Sequence, residues 1–301
     1  MNFDTFLLAV MDGLSYASLL FLVALGMTLV FGVMRILNMA HGSVYAFGGY
    51  VAASIGLWAA SAGLPGGWSL AVLLLAAILV GTVLGAVMEI SLLRRIYEKE
   101  PMLQLLVTFA AFMIFEDLQR MIFGVQPYSY SAIVDYLGVV EVVGITYTRY
   151  QLFVLPGAAL GIFFALRSFL KHSRMGKQIV AVAHHREVSM AMGINVKRIC
   201  LLTFIVGSIL GALGGALALP TTSWVPGSGA EMIVLSFAVV ATAGLGQIEG
   251  ALVAAVLIGL ARSFSVYLLP ELEVLVPYLI MVLVLLFKPQ GLFSVAQARR
   301  V

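Results

Sequence analysis

Apolar residues occur along this chain in long blocks broken by charges, glycine pairs and prolines. A helix needs roughly 20 apolar residues to cross about 30 Å of hydrocarbon. Measured against that length, the blocks fall near residues 6–33, 42–60, 68–93, 102–124, 150–170, 199–219, 231–246, 249–268 and 274–288. They predict an all-α membrane protein, a polytopic bundle of eight to nine apolar segments with room for one re-entrant or broken helix. Two blocks are weaker than the rest. The 42–60 run opens with Gly42, Ser43 and Tyr45 and contains Gly48 and Gly49; the 231–246 run is short and ends in Gly244-Leu245-Gly246. Either fits a re-entrant segment as well as a full span.

Composition removes the soluble alternative. The 301 residues are 62% hydrophobic and 10% charged, against about 45–50% and 25% in ordinary soluble domains. So few charges cannot cover that much apolar surface in water, and most of the chain belongs in lipid. Met1-Asn2-Phe3-Asp4 carries no basic run, and no small-residue cleavage site follows. A removed signal peptide is therefore not expected, and the first block reads as the first span.

The net charge of +3 is explained by topology rather than by nucleic acid, which is not expected as a partner. Arg94, Arg95 and Lys99 cluster in one loop, Lys171, Arg174, Lys177, Arg186, Lys197 and Arg198 in a second, and Lys288, Arg299 and Arg300 at the tail. All three clusters belong on the cytoplasmic side. Segments 124–150 and 220–230 carry only Arg149 as a basic residue and face outward. If every block crosses, the N-terminus is outside; one re-entrant block would bring it inside, and the sequence leaves both open.

Small residues four apart, Gly207, Gly211 and Gly215, share a helical face and predict close helix packing, as do Gly246, Gly250 and Ala254. Enzyme signatures are missing. The Gly176-Lys177 pair is followed by Gln178 and lacks the phosphate-loop glycine, and there is no His-Glu-x-x-His pair or Gly-x-Ser-x-Gly elbow. The lone Cys200 permits no intrachain disulfide and reads as a helix-packing residue, and no metal-ligand spacing occurs. His184 and His185 point about 100° apart on a helix and suit a solvated loop.

Asn38, His41 and Gly42 interrupt two apolar runs. Polar groups at membrane depth are tolerated where they meet protein or a water-filled cavity, so these three are candidates for a solute pathway; a surface loop is the alternative. Among Glu89, Glu116, Asp117, Arg120, Glu231, Glu249 and Arg262, Glu89 stands out as an intramembrane charge, whereas Glu116 and Arg120 can pair at i,i+4. The 171–198 loop is the longest basic one, and residues 182–193 read as one short amphipathic helix ended by Gly193, a docking surface for a soluble partner.

Three stretches resemble a known family, the shorter of the two permeases of branched-chain amino acid ABC importers. They are Gly26-Met-Thr-Leu-Val-Phe-Gly-Val-Met-Arg-Ile-Leu-Asn-Met-Ala-His-Gly42, Ser189-Met-Ala-Met-Gly-Ile-Asn195 leading into Leu202-Thr-Phe-Ile-Val-Gly-Ser208, and Gly244-Leu-Gly-Gln-Ile-Glu-Gly-Ala251 with the closing Lys288-Pro-Gln-Gly-Leu292. The resemblance spans nearly the whole chain. It implies a single permease domain over 1–301 whose coupling loop lies near 171–198. It also implies a second permease, two cytoplasmic ATPase subunits holding ATP and magnesium, and a soluble substrate-binding protein outside the membrane. This chain would bind no cofactor itself. Glu187, Ala191, Gly193, Ile194 and Asn195 fall on the family's ATPase-contacting stretch, although the usual Glu-Ala-Ala reads Glu-Val-Ser here. Relatives of that kind also carry urea and short amides, and a stand-alone secondary transporter is the competing class.

Overall fold

The structure, a computed structural model, describes residues 2–293. Arg299 and Arg300, expected on the cytoplasmic side, lie outside the described residues. In chain order the elements are α1 (Phe3–Met34), α2 (His41–Ser61), α3 (Ser69–Met88), α4 (Arg94–Ile96), α5 (Pro101–Phe123) and α6 (Ala132–Leu137), then β1 (Val139–Val142) and β2 (Ile145–Thr148). They continue as α7 (Leu155–His172), α8 (Arg174–His184), α9 (Arg186–Ala191), α10 (Val196–Ala218), α11 (Ser228–Ala243), α12 (Ile248–Leu268) and α13 (Leu275–Phe287). Among the described residues 7 helical stretches are long and apolar enough to cross a membrane, while α11 and α13 are shorter. The chain is an all-α polytopic membrane protein.

A helix that is apolar all round has no face to give to water and becomes the axis of its bundle. That is α1, buried along most of its 32 residues and flanked by α7, α10, α11 and α12. Helix α7, by contrast, buries one stripe, Leu155, Ala159, Phe163 and Leu166, and leaves the rest for lipid. Glycine sets the spacing inside. A β-carbon on Gly207 would strike Val30 and the Gly26 carbonyl, and one on Gly211 would strike His41. Gly214 sits on Val23 and Gly215 on the Tyr45 carbonyl, so α10 presents glycine to α1 and to α2. The second expected stripe fails. Gly246 has φ +85° and lies before α12 in a turn against Gly32, so it is not in helical phase with Gly250 and Ala254.

Contacts between levels fix direction. Val23 meets Gly214 and Val30 meets Gly207, so α1 and α10 are antiparallel; Gly81 over Ile209 and Gly85 over Ser208 make α3 antiparallel to α10 as well. Arg94, Lys197 and Lys288 therefore share one end of the bundle, which the excess of positive charge marks as cytoplasmic. Phe3 lies at the opposite, outer end.

Both doubtful blocks turn out to be helices that begin inside the bundle. After α1 the chain takes a left-handed turn at Arg35 (φ 57°) and runs back through residues 35–40 before α2 starts at His41, level with Val23 and Gly26. On the other side, residues 222–227 descend from the outer face, and α11 starts where Gly229 abuts Gly42. Irregular backbone at such depth survives because protein surrounds it. Neither block is a re-entrant hairpin, and each crossing is completed by irregular chain.

The outer face carries an element with no counterpart in the hydrophobic pattern, the β1–β2 hairpin, paired Val139↔Thr148 through Val142↔Ile145. Its two-residue turn places Val143 (φ 52°) and Gly144 (φ 82°) in the left-handed region, as a type I′ turn requires. Tyr147 from β2 and Tyr267 from α12 each donate a 2.5 Å hydrogen bond to Asp12 and so pin the hairpin to α1. Burial and that carboxylate push the Tyr147 hydroxyl up, which keeps it a donor.

Candidate functional site

The junction of α2 and α11 brings together the three residues expected on a solute pathway. Gly42 lies against Gly229 and Ile233. The His41 ring is enclosed between Gly26 and Gly211, with Nε2 3.1 Å from the Val23 carbonyl oxygen. Asn38 accepts a 3.2 Å bond at Oδ1 from the Ala40 N–H, and its buried Nδ2 has no protein partner. None of the three sits in a surface loop.

One stripe of α5 holds this irregular segment. Gln104, Thr108, Phe112 and Gln119 are the buried positions of that helix. The Thr108 hydroxyl donates to the Leu37 carbonyl at 3.2 Å and accepts from the Met39 N–H at 3.4 Å. Ser43 donates to the Phe112 carbonyl at 3.3 Å, and Gln119 donates to the Ser43 carbonyl at 3.2 Å. From the outer side the buried Trp224 donates from Nε1 to the Ala46 carbonyl at 3.0 Å, while its ring lies against Gly49. The Leu37 carbonyl and the Met39 N–H of the irregular segment thereby find partners within the protein.

At the cytoplasmic end the segment expected as one helix over 182–193 is two. Helix α8 ends at His184, His185 takes an extended backbone (φ −142°, ψ 83°), and α9 covers Arg186–Ala191. Val182, expected to face a partner, is instead 2% exposed and points into the bundle on the same face of α8 as Ile179. The apolar residues left outside are Val188, Met190 and Met192, with the carboxylate of Glu187 exposed beside them. Helix α9 closes in a Schellman motif: the Gly193 N–H bonds the Met190 carbonyl and the Ile194 N–H bonds the Ser189 carbonyl, both at 3.0 Å. That motif needs the left-handed backbone Gly193 adopts at φ +81°. Asn195 then caps α10, its Oδ1 accepting from the Arg198 N–H at 3.1 Å. Ala191 is exposed at the end of α9.

Glu89 lies just behind this helix. It is fully buried in a π-helical turn, Glu89–Leu93, that continues α3. Arg94 donates to it from Nη2 at 2.8 Å and from Nε at 3.3 Å, and the Tyr97 hydroxyl donates at 2.6 Å. A buried carboxylate must be paired in this way, and here both partners lie within eight residues of it. Burial and the bond to Glu89 push the Tyr97 hydroxyl up, so it stays a donor. The Arg186 guanidinium of α9 stacks over the Tyr97 ring, 5.4 Å from its centre. Four side chains thus run unbroken from α9 to the end of α3.

Residues 9–285 match the family described as "Branched-chain amino acid transport system / permease component". The chain belongs to that family. This permease is 26% identical over 306 aligned residues to the high-affinity branched-chain amino acid transport system permease protein LivH of Escherichia coli K12, covering 100% of this chain and 99% of the relative. It is 28% identical to the corresponding protein BraD of Pseudomonas aeruginosa, covering 98% of each, and 26% identical to the probable permease LivH of Methanocaldococcus jannaschii, covering 93% and 90%. Among solved structures, PsaBC from Streptococcus pneumoniae in complex with Fab has a similar fold, with a TM-score of 0.50 at 14% identity over 93% of this chain and 91% of that one. The permease is accordingly a multi-pass protein of the inner membrane.

Sequence reasoning passed over several residues that build these sites in the permease. Gln104, Thr108 and Gln119 are spaced four and eleven apart, which puts polar side chains on one stripe of an otherwise apolar helix, and that signal was available. Tyr97 and Arg186 are joined only by the fold, being 89 residues apart, and no local pattern marks them.

Proposed function

We propose that this chain is one transmembrane subunit of an ATP-driven, binding-protein-dependent importer that carries branched-chain amino acids by alternating access. Hydrolysis takes place on two separate ATPase subunits holding ATP and magnesium. A second permease completes the membrane part, and a soluble binding protein delivers the solute. The observation that carries this reading is α9: a short helix on the cytoplasmic face with Val188, Met190 and Met192 exposed and its base fastened to the bundle. Methionine adapts to a partner surface that moves, which suits contact with a subunit cycling through nucleotide states.

Force applied to α9 has two routes inward. Arg186, Tyr97 and Glu89 lead to α3, and the Gly193–Asn195 turn leads directly into α10. Helices α3 and α10 touch at Gly81 and Gly85, and α10 meets His41 at Gly211, so a displacement at the cytoplasmic face reaches the α2–α11 junction through backbone-close contacts. Asn38, His41 and Gly42 are the residues of this chain assigned to gating the solute route there.

Reconstitution in liposomes tests the reading. With all partners present, leucine, isoleucine and valine should enter on ATP addition, and urea and short amides should not. The permease alone should carry none of them, and uptake by it alone overturns the ABC assignment.

A further inference from the structure

The cytoplasmic ends of α7 and α12 are bridged by the Arg167–Glu249 ion pair. Between them, and under α8, lies a cavity of about 460 Å³. One wall is cationic: Arg167 and Lys171 from the last turns of α7 and Lys177 from α8. Apolar side chains line the rest of it: Phe163 from α7, Val180 from α8 and Ile248 from α12. Glu249 at the start of α12 pairs with Arg167 at 3.1 Å, whereas Lys171 and Lys177 have no carboxylate partner among the described residues.

The position of the cavity selects among anions. Phe163 is four and eight residues along α7 from Arg167 and Lys171, so its ring lies roughly 6–12 Å deeper than those two cations. Helix α8 lies across the ends of α1, α7 and α10 with Gly176, Ile179 and Val182 turned inward, and its Ser173 cap accepts from the Gly176 N–H at 2.8 Å. Gly176 fits because it rests on the Phe169 carbonyl, which holds Lys177 at the mouth of the cavity. A free phosphate or nucleotide would use the cations and leave Phe163, Val180 and Ile248 without a partner. A lipid uses both.

We propose that this groove binds an anionic phospholipid of the cytoplasmic leaflet. Its phosphodiester lies among Arg167, Lys171 and Lys177, and an acyl chain runs along Phe163 and Ile248. Basic pockets between membrane helices on this side recognise lipid phosphates by the same combination of charge and apolar wall. The proposal is independent of the transported solute, since it concerns a face of α7 and α12 away from the α2–α11 junction.

The permease, purified from membranes with the subunits that accompany it, would be placed in nanodiscs of phosphatidylcholine alone or with one third phosphatidylglycerol. Thermal midpoint and lipid retained after delipidation, read by native mass spectrometry, are the observables. Phosphatidylglycerol should raise the midpoint and stay bound in preference to phosphatidylcholine, and Lys171→Gln and Lys177→Gln should each weaken its retention about five-fold. Lys171→Arg should keep it, and Lys197→Gln, on the same face outside the groove, should leave retention unchanged. Equal retention by the glutamine variants overturns the proposal, and so does the same stabilisation from inorganic phosphate in phosphatidylcholine discs.

Discussion

Gly42 and Gly229 meet backbone to backbone, so that a β-carbon on Gly229 would lie 2.5 Å from the Gly42 carbonyl oxygen and one on Gly42 would strike the Gly229 carbonyl in turn. Neither neighbour is a flexible side chain that can move aside. Gly42→Val should therefore part α2 from α11, destabilise the permease by about 1–3 kcal/mol as overpacked cores do, and abolish uptake. Gly157→Ala and Gly161→Ala, where a β-carbon meets nothing within 4 Å, serve as controls and should be neutral. Thermal midpoints from fluorescence-detected size exclusion separate the two classes; an undisturbed Gly42→Val protein would mean that the close approach is not required.

His41 offers a graded test of the same junction. Gln can still donate toward the Val23 carbonyl and Leu cannot, so His41→Leu should cost about 1 kcal/mol more than His41→Gln. Uptake should fall with Leu and survive with Gln. Unchanged transport by the Leu variant would reduce His41 to a packing residue.

Tyr97→Phe removes one hydroxyl and keeps the ring under Arg186. A hydrogen bond to a charged group contributes about 1.5–3 kcal/mol, so the tie between Glu89 and α9 loosens while the complex still assembles. The expected result is fewer amino acids imported per ATP hydrolysed at equal complex content. An unaltered ratio, with hydrolysis and uptake both normal, would remove this network from the coupling route.

Gly193→Val faces no steric obstacle, since nothing lies within 4 Å of the added carbon, and acts only through its φ of +81°. That backbone costs a side-chain-bearing residue about 1–2 kcal/mol, enough to fray the Schellman turn. Insertion and expression should be unaffected, while substrate-stimulated hydrolysis and uptake fall together. Normal values of both in liposomes would make 171–198 a linker and not a transmission element.

Glu231 is exposed in the first turn of α11, next to the junction. A carboxylate facing hydrocarbon costs about 2.5–3.5 kcal/mol, so this side of α11 should meet water or the second permease. Glu231→Cys in the assembled importer should react with a membrane-impermeant thiol reagent and be shielded during turnover. The buried Cys200 gives little background. Reaction with lipid-soluble reagents alone would place this face against the bilayer.

The helical spans were legible in the sequence because lipid demands about 20 apolar residues at a stretch, and nothing else in a chain satisfies that demand. The depth at which α2 and α11 begin was not, because it depends on Gly42 meeting Gly229 across 187 residues, a contact that leaves no mark on either local pattern. Gly193 could be read as a helix stop, yet the break at His185 could not. A histidine carries no intrinsic signal for an extended backbone, and the segment bends there because α8 turns Ile179 and Val182 into the bundle while α9 stays outside it. Glu89 was conspicuous as a charge among apolar residues, but the Arg186 guanidinium stacked over its partner Tyr97 became visible only in three dimensions.

The π-helical turn at Glu89–Leu93 holds one residue more than a regular turn of the same height. Wound instead as an ordinary α-helix, the same sequence would carry every side chain beyond this turn about 100° further around the axis. Arg94 and Tyr97 would then face away from Glu89 although none of the three had changed. The meeting of these groups therefore depends on the wide turn, which takes up the surplus residue and keeps the charges in line.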